Sequence, residues 1–183
     1  MIINTEGLSD AQKDSEKFKT AYADMLAQLT RPGFIPVLCA HEAAHLIYFQ
    51  IIGMKDYKTL PPRITYDSEI DDYTGHLAAI EFLGVSSWES DNFEDWFFKM
   101  AVAHAAGGVV ARKLLQSSEG GDQDDRAEFD TLCTEINKDP AMSINPERVW
   151  KDAQSIVAEQ LENSEVMGLI HQEAIRLRPL LGL

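Results

Sequence analysis

The stretch Phe34-Ile-Pro-Val-Leu-Cys-Ala-His-Glu-Ala-Ala-His-Leu-Ile-Tyr-Phe-Gln-Ile-Ile-Gly53 decides the fold. It is the most apolar long segment of the chain, and His41, Glu42, His45 and Gln50 interrupt it. Those groups are out of place in a membrane span, so the segment reads as a buried helix with a polar face. Val37, Leu38, Ala44, Ile47, Tyr48 and Ile51 are its apolar positions, and Gly53 ends it. Four helical residues advance by about 400°, which stacks His41 and His45 on one face. Two imidazoles so placed can reach one Zn²⁺ at about 2.0–2.1 Å. Glu42 lies about 100° round from His41, badly placed as a ligand but able to reach a water on the metal. The metal would lower that water's pKa towards about 7; Glu42 would take its proton and later pass it to the leaving amine of a cleaved peptide. Ionisable groups in an apolar helix are costly unless paired or metal-bound, which favours this reading over two unrelated histidines and a surface glutamate.

Catalytic zinc needs a third protein ligand, with the fourth position left open. The metzincin extension fails, because Tyr48 and Ile51 stand where its glycine and third histidine would be. The downstream candidates are His76, His104, Glu119, Asp122, Asp124 and Asp125. His104, three residues before Gly107-Gly108 on an apolar helix, reads as a core histidine or one hydrogen-bonded to a ligand. His76 is a candidate donor to a tetrahedral intermediate, and His171 a structural residue.

Outward from this helix, the pattern is mainly α with a small β element. On the N-terminal side, Ser9 and Asp10 precede an amphipathic helix with Phe18, Tyr22, Met25, Leu26 and Leu29 on one face, closed by Arg31-Pro32-Gly33. On the C-terminal side, Pro61-Pro62 excludes helix, Arg63–Tyr66 reads as one strand and Gly75–Phe82 as another, with an acidic turn between them. Asp91 is a plausible cap for a helix reaching about Leu115, and Trp88, Trp96, Phe97 and Phe98 are expected in the core. A polar loop leads to a helix through Phe129, Leu132, Cys133 and Ile136. Asn145-Pro146 opens another helix, with Val149, Ile156, Val157 and Leu161 inward, and a last one covers roughly 164–178. One domain is expected, with residues 1–33 an N-terminal amphipathic helix packed on a body spanning 34–183.

Composition narrows the function classes. A net charge of −14 over 183 residues lacks the basic stripe of a nucleic-acid binder. Cys39 and Cys133 sit in apolar helical patterns and form no disulfide framework. The N-terminus lacks the basic and apolar regions of a signal peptide, and no membrane segment is apparent, so a cytoplasmic location is expected.

His-Glu-Ala-Ala-His-Leu-Ile at 41–47 resembles the His-Glu-Ala-Gly-His helix of the FtsH-type (AAA protease) peptidase domain, with Ala44 in place of the glycine. Ala103-His-Ala-Ala-Gly-Gly-Val-Val-Ala-Arg-Lys-Leu-Leu115 resembles that family's Gly-Gly-Arg-Ala-Ala-Glu helix. Gly121-Asp-Gln-Asp-Asp125 resembles its Gly-Ala-Ser-Asn-Asp segment. The similarity spans about residues 34–178. It implies a zinc metalloendopeptidase with Asp125 as third ligand, Asp124 being the alternative if the register slips by one. It also implies hexameric self-assembly and, at Gly75–Phe82, a strand that pairs with extended polypeptide substrate. The 183 residues hold no P-loop motif, so the chain resembles a free-standing peptidase domain whose coupling to ATP would need a separate ATPase partner. The alternative is a non-catalytic metal-binding relative acting as a binding or regulatory partner. A complete Glu42 speaks against it, since a purely structural metal site needs no general base.

Overall fold

The computed structural model describes residues 2–83, 93–116 and 121–183. The fold is mainly α with a small β element, as the pattern predicts, but that element is two two-stranded sheets where one was expected. Trp88, Asp91 and Glu119 lie outside the described residues.

The expected N-terminal helix is two helices. Ser9 and Gln12 form a reciprocal capping box on α1 (Asp10–Lys13), which stops at Asp14. Ser15 then accepts from Phe18 N–H and opens α2 (Glu16–Thr30). Phe18, Met25 and Leu29 of α2 are buried, whereas Tyr22 and Leu26 are exposed. The inward stripe of α2 is therefore narrower than its apolar pattern.

Helix α3 (Phe34–Ile51) is the centre of the molecule. Every residue from Leu38 to Leu46 is buried, His41, Glu42 and His45 included. By length and hydropathy α3 could cross a membrane, but its neighbours account for its apolarity. It lies between α4 (Phe93–Leu115) and α7 (Ser164–Leu180), and α2 touches it as well. The polar face is thus turned onto another helix and not to solvent. Gly53, at φ 88°, ends α3; its N–H donates to Gln50 and that of Met54 to Phe49, satisfying carbonyls of the last turn. Ile51, an apolar position in the last turn, is exposed.

Helix α4 presents Ala101, Ala103, Ala105, Ala106, Gly107 and Gly108, all buried, so neighbouring helices approach its backbone closely. Helix α5 (Gln123–Ile136) and α6 (Pro146–Gln160) also pack on α4. Asn145 caps α6 by accepting from Arg148 N–H, with Pro146 in the first turn where its missing N–H is harmless. Trp150 and Ala153 supply most of the inward face of α6 together with Val157, while Ile156 is exposed.

Strand β2 (Arg63–Asp67) pairs antiparallel with β3 (Asp72–His76) as the expected hairpin. The segment 75–82 is not one strand. It leaves β3 at His76 and resumes as β4 (Ala79–Phe82), which pairs antiparallel with β1 (Tyr57–Leu60), a strand the pattern did not mark. Ala78, fully buried, sits in the crossover.

Phe129 joins α5 to the rest of the core: it has no exposed surface and its ring lies 5.6 Å from Phe97 and 5.4 Å from Trp150. Truncation there leaves a cavity between three helices. Phe129→Ala should lower stability by about 3–5 kcal/mol, read from urea unfolding midpoints.

Candidate metal centre

His41 and His45 are separated by one helical turn, and their Nε2 atoms stand 3.0 Å apart. The His45 ring is fixed by its other nitrogen, since Nδ1–H donates to the Ala103 carbonyl of α4 at 2.8 Å. That bond fixes the ring so that Nε2 faces His41 and Asp125. Asp125, in the first turn of α5, brings Oδ1 to 3.1 Å from His45 Nε2 and Oδ2 to 3.3 Å from His41 Nε2. Asp125 Oδ2 is buried and has no hydrogen-bond partner among the described residues.

These three side chains could hold a metal ion. Ligands about 2.0–2.1 Å from a tetrahedral centre lie about 3.3 Å from one another, close to the separations observed. Two imidazoles and one carboxylate are also a donor set suited to a divalent transition metal such as zinc. The backbone leaves room for the group. A Cβ at Gly107 would stand 2.3 Å from His45 Nε2 and 2.6 Å from His41 Nε2, so only glycine lets α4 pass so close to the pair.

Charge inside the cluster follows from burial and proximity. Burial alone would lower the His45 imidazole; the adjacent Asp125 carboxylate, with Glu42 and the Ala103 carbonyl, raises it to about 9. Burial works against the Asp125 carboxylate, yet the histidines hold it well below the usual range. Burial pushes Glu42 above the ordinary glutamate value, against the opposing pull of both histidines and of a backbone N–H. That N–H belongs to Ile80 of β4 and donates to Glu42 Oε2 at 2.8 Å, which leaves Oε1 4.0 Å from His41 Nε2. Glu42 is thus buried, oriented and poised beside the histidines without being the nearest donor to them.

The remaining candidates fall elsewhere. Asp124 is exposed and outside the converging group, and Asp122 pairs with Arg112. His76 hydrogen-bonds Thr65 Oγ1 at 2.8 Å, and His171 is exposed. His104 packs edge-on against Phe49, with its ring 5.1 Å away. Two contributors escaped the sequence reading, the Ala103 carbonyl and the Ile80 amide. Both are backbone groups, which carry no residue-type signal.

The His104 imidazole is pushed down to about 4, first by burial and then by the charge of His45. Its folded value lies below that of the unfolded chain. The stability this depression carries is therefore full above about pH 6.5 and lost as pH falls through the window down to about 4. Urea midpoints should drop across that window, and His104→Phe should flatten that part of the profile.

Comparison of the chain with protein-family models, with curated proteins and with solved structures finds no match.

Proposed function

We propose that the chain is a zinc-dependent metalloendopeptidase that hydrolyses peptide bonds in unfolded or loosely folded polypeptide. The observation that carries this reading is a buried carboxylate, Glu42, held beside a His41/His45/Asp125 group that can bind a metal. A metal held only for structure has no use for a buried, unspent base at that point. When bound, Zn²⁺ supplies Lewis acidity, lowering the pKa of water towards about 7 and polarising a carbonyl. His41 Nε2, His45 Nε2 and an Asp125 oxygen would hold the ion. Glu42 Oε1 accepts the proton of the attacking water and returns it to the departing amine nitrogen; Ile80 N–H keeps Oε2 fixed meanwhile. Burial raises the affinity of Glu42 for a proton, which suits a group that must both take and release one.

Among the described residues β4 pairs only with β1, and its other edge meets Glu42 through the Ile80 N–H; we read the remaining backbone groups of that edge as the place where an extended chain pairs. Backbone pairing of that kind gives affinity with little sequence preference, in keeping with unfolded polypeptide as substrate. We read the site as one of the FtsH peptidase type, on the His-Glu-Ala-Ala-His and Gly-Gly segments and on the Asp125 placement. Coupling to ATP would need a separate ATPase chain, and self-assembly further copies of this one. The test is hydrolysis of a casein-like unfolded protein by zinc-loaded chain, before and after a chelator. Chelator-sensitive cleavage restored by zinc is the expected result; a zinc-loaded protein without any cleavage would overturn the reading.

A further inference from the structure

Asp122 occupies the N-cap of α5, where aspartate ordinarily accepts from the first turn, yet its side chain makes no capping hydrogen bond. Its Oδ2 accepts instead from Arg112 Nη1 of α4 at 2.7 Å. Both side chains are largely buried, with 25% and 19% of their surface exposed, so this is not a solvated surface pair. The guanidinium is held from a second side. With its amide oriented to accept, Gln154 of α6 receives Arg112 Nη2–H at 2.9 Å and Trp150 Nε1–H at 3.1 Å.

The pair is also seated on the backbone. A Cβ at Gly108 would stand 2.4 Å from Asp122 Cβ, so Asp122 rests directly on α4 at that glycine, one turn before Arg112. The two adjacent glycines of α4 thus admit two different elements. Gly107 makes room for the histidine pair of α3, and Gly108 for the start of α5. Asp125 follows Asp122 by three residues, about one helical turn, so whatever fixes Asp122 also fixes the direction from which Asp125 meets the histidines.

We propose that Arg112 is a positioning residue for metal binding: its ion pair with Asp122, seated on Gly108 and braced by Gln154, locks the first turn of α5 so that Asp125 completes the site. The proposal rests on the metal centre described above. Ligand groups must be held to a fraction of an ångström, and loss of such supporting partners typically costs about 10–100-fold in metal affinity.

The experiment is titration of the metal-free protein with Co²⁺, followed by the visible absorption of the bound ion, alongside circular dichroism of each variant. Arg112→Gln and Asp122→Asn should each weaken Co²⁺ binding about 10–100-fold and alter the absorption band. The double variant should be no worse than either single one, because both remove the same pair. Lys113→Gln is the control, as it removes the neighbouring exposed pair of α4 with Glu162 and should leave affinity unchanged. If Arg112→Gln does not fold, Asp122→Asn and Arg112→Lys carry the test, the lysine restoring part of the affinity by charge alone. Folded Arg112 and Asp122 variants with wild-type affinity and absorption would overturn the positioning role. Failure of the wild-type protein to bind Co²⁺ would overturn the metal centre itself, and this proposal with it.

Discussion

Glutamine at position 42 should leave metal binding intact and slow peptide hydrolysis about 10²–10⁴-fold, the range that general acid–base groups contribute. The amide is nearly isosteric with the carboxylate and keeps an oxygen able to accept from Ile80 N–H, so the local geometry survives. What disappears is the oxygen that takes and returns the proton. Protonation of Glu42 removes the base, so the wild-type kcat/KM profile should have an acid limb that reports this carboxyl. The direction is fixed: as pH falls through that limb Glu42 becomes protonated and activity is lost, while above it the base is free. Residual activity of the Glu42→Gln protein should lack this limb. Metal content by elemental analysis and kcat/KM against pH, measured on both proteins, check the prediction. Loss of metal together with activity would mean that Glu42 is a ligand or a structural support, not the base.

Alanine at position 107 should remove the metal site with a single methyl group. The added Cβ would lie 2.3 Å from His45 Nε2, 2.6 Å from His41 Nε2 and 2.7 Å from His41 Cδ2, separations that real Cβ atoms essentially never show. The histidines must turn away or α4 must withdraw from α3, and either movement separates the donors. Metal affinity should fall by about 100-fold or more, with loss of about 1–3 kcal/mol of stability from overpacking. Isothermal titration with Zn²⁺ and thermal melts of the metal-free proteins measure the two effects. Gly168 of α7 is the contrast: a Cβ there meets nothing within 4 Å. Gly168→Ala should raise stability by about 0.5–1 kcal/mol and leave metal binding alone.

The two arguments differ in how much of their basis could be read from sequence. The His41/Glu42/His45 spacing is local, and helical geometry alone brings the histidines together. Asp125 is remote, and its approach depends on how α5 packs on α4 and on Gly107 and Gly108, which composition does not reveal. Family resemblance singled it out where spacing left six candidates. The Ala103 carbonyl and Ile80 amide were invisible because every residue carries such groups. Fold shows the same division. Caps and breakers placed α3 and α6 well, since Gly53 and Asn145-Pro146 act within a turn of themselves. Apolar periodicity put Tyr22 and Leu26 on the face of Phe18 and Ile156 inward, but a stripe does not say where a neighbour ends, and all three are exposed. The run 75–82 has strand character throughout. Its division at Leu77-Ala78 arises from two different partners, β2 and β1, and no local signal records that choice.

X-ray diffraction at the zinc absorption edge from zinc-loaded crystals tests the account most directly. One anomalous peak should appear about 2.0–2.2 Å from His41 Nε2, His45 Nε2 and an Asp125 carboxylate oxygen. Absence of a peak among these three side chains, or zinc bound only at other residues, would contradict it.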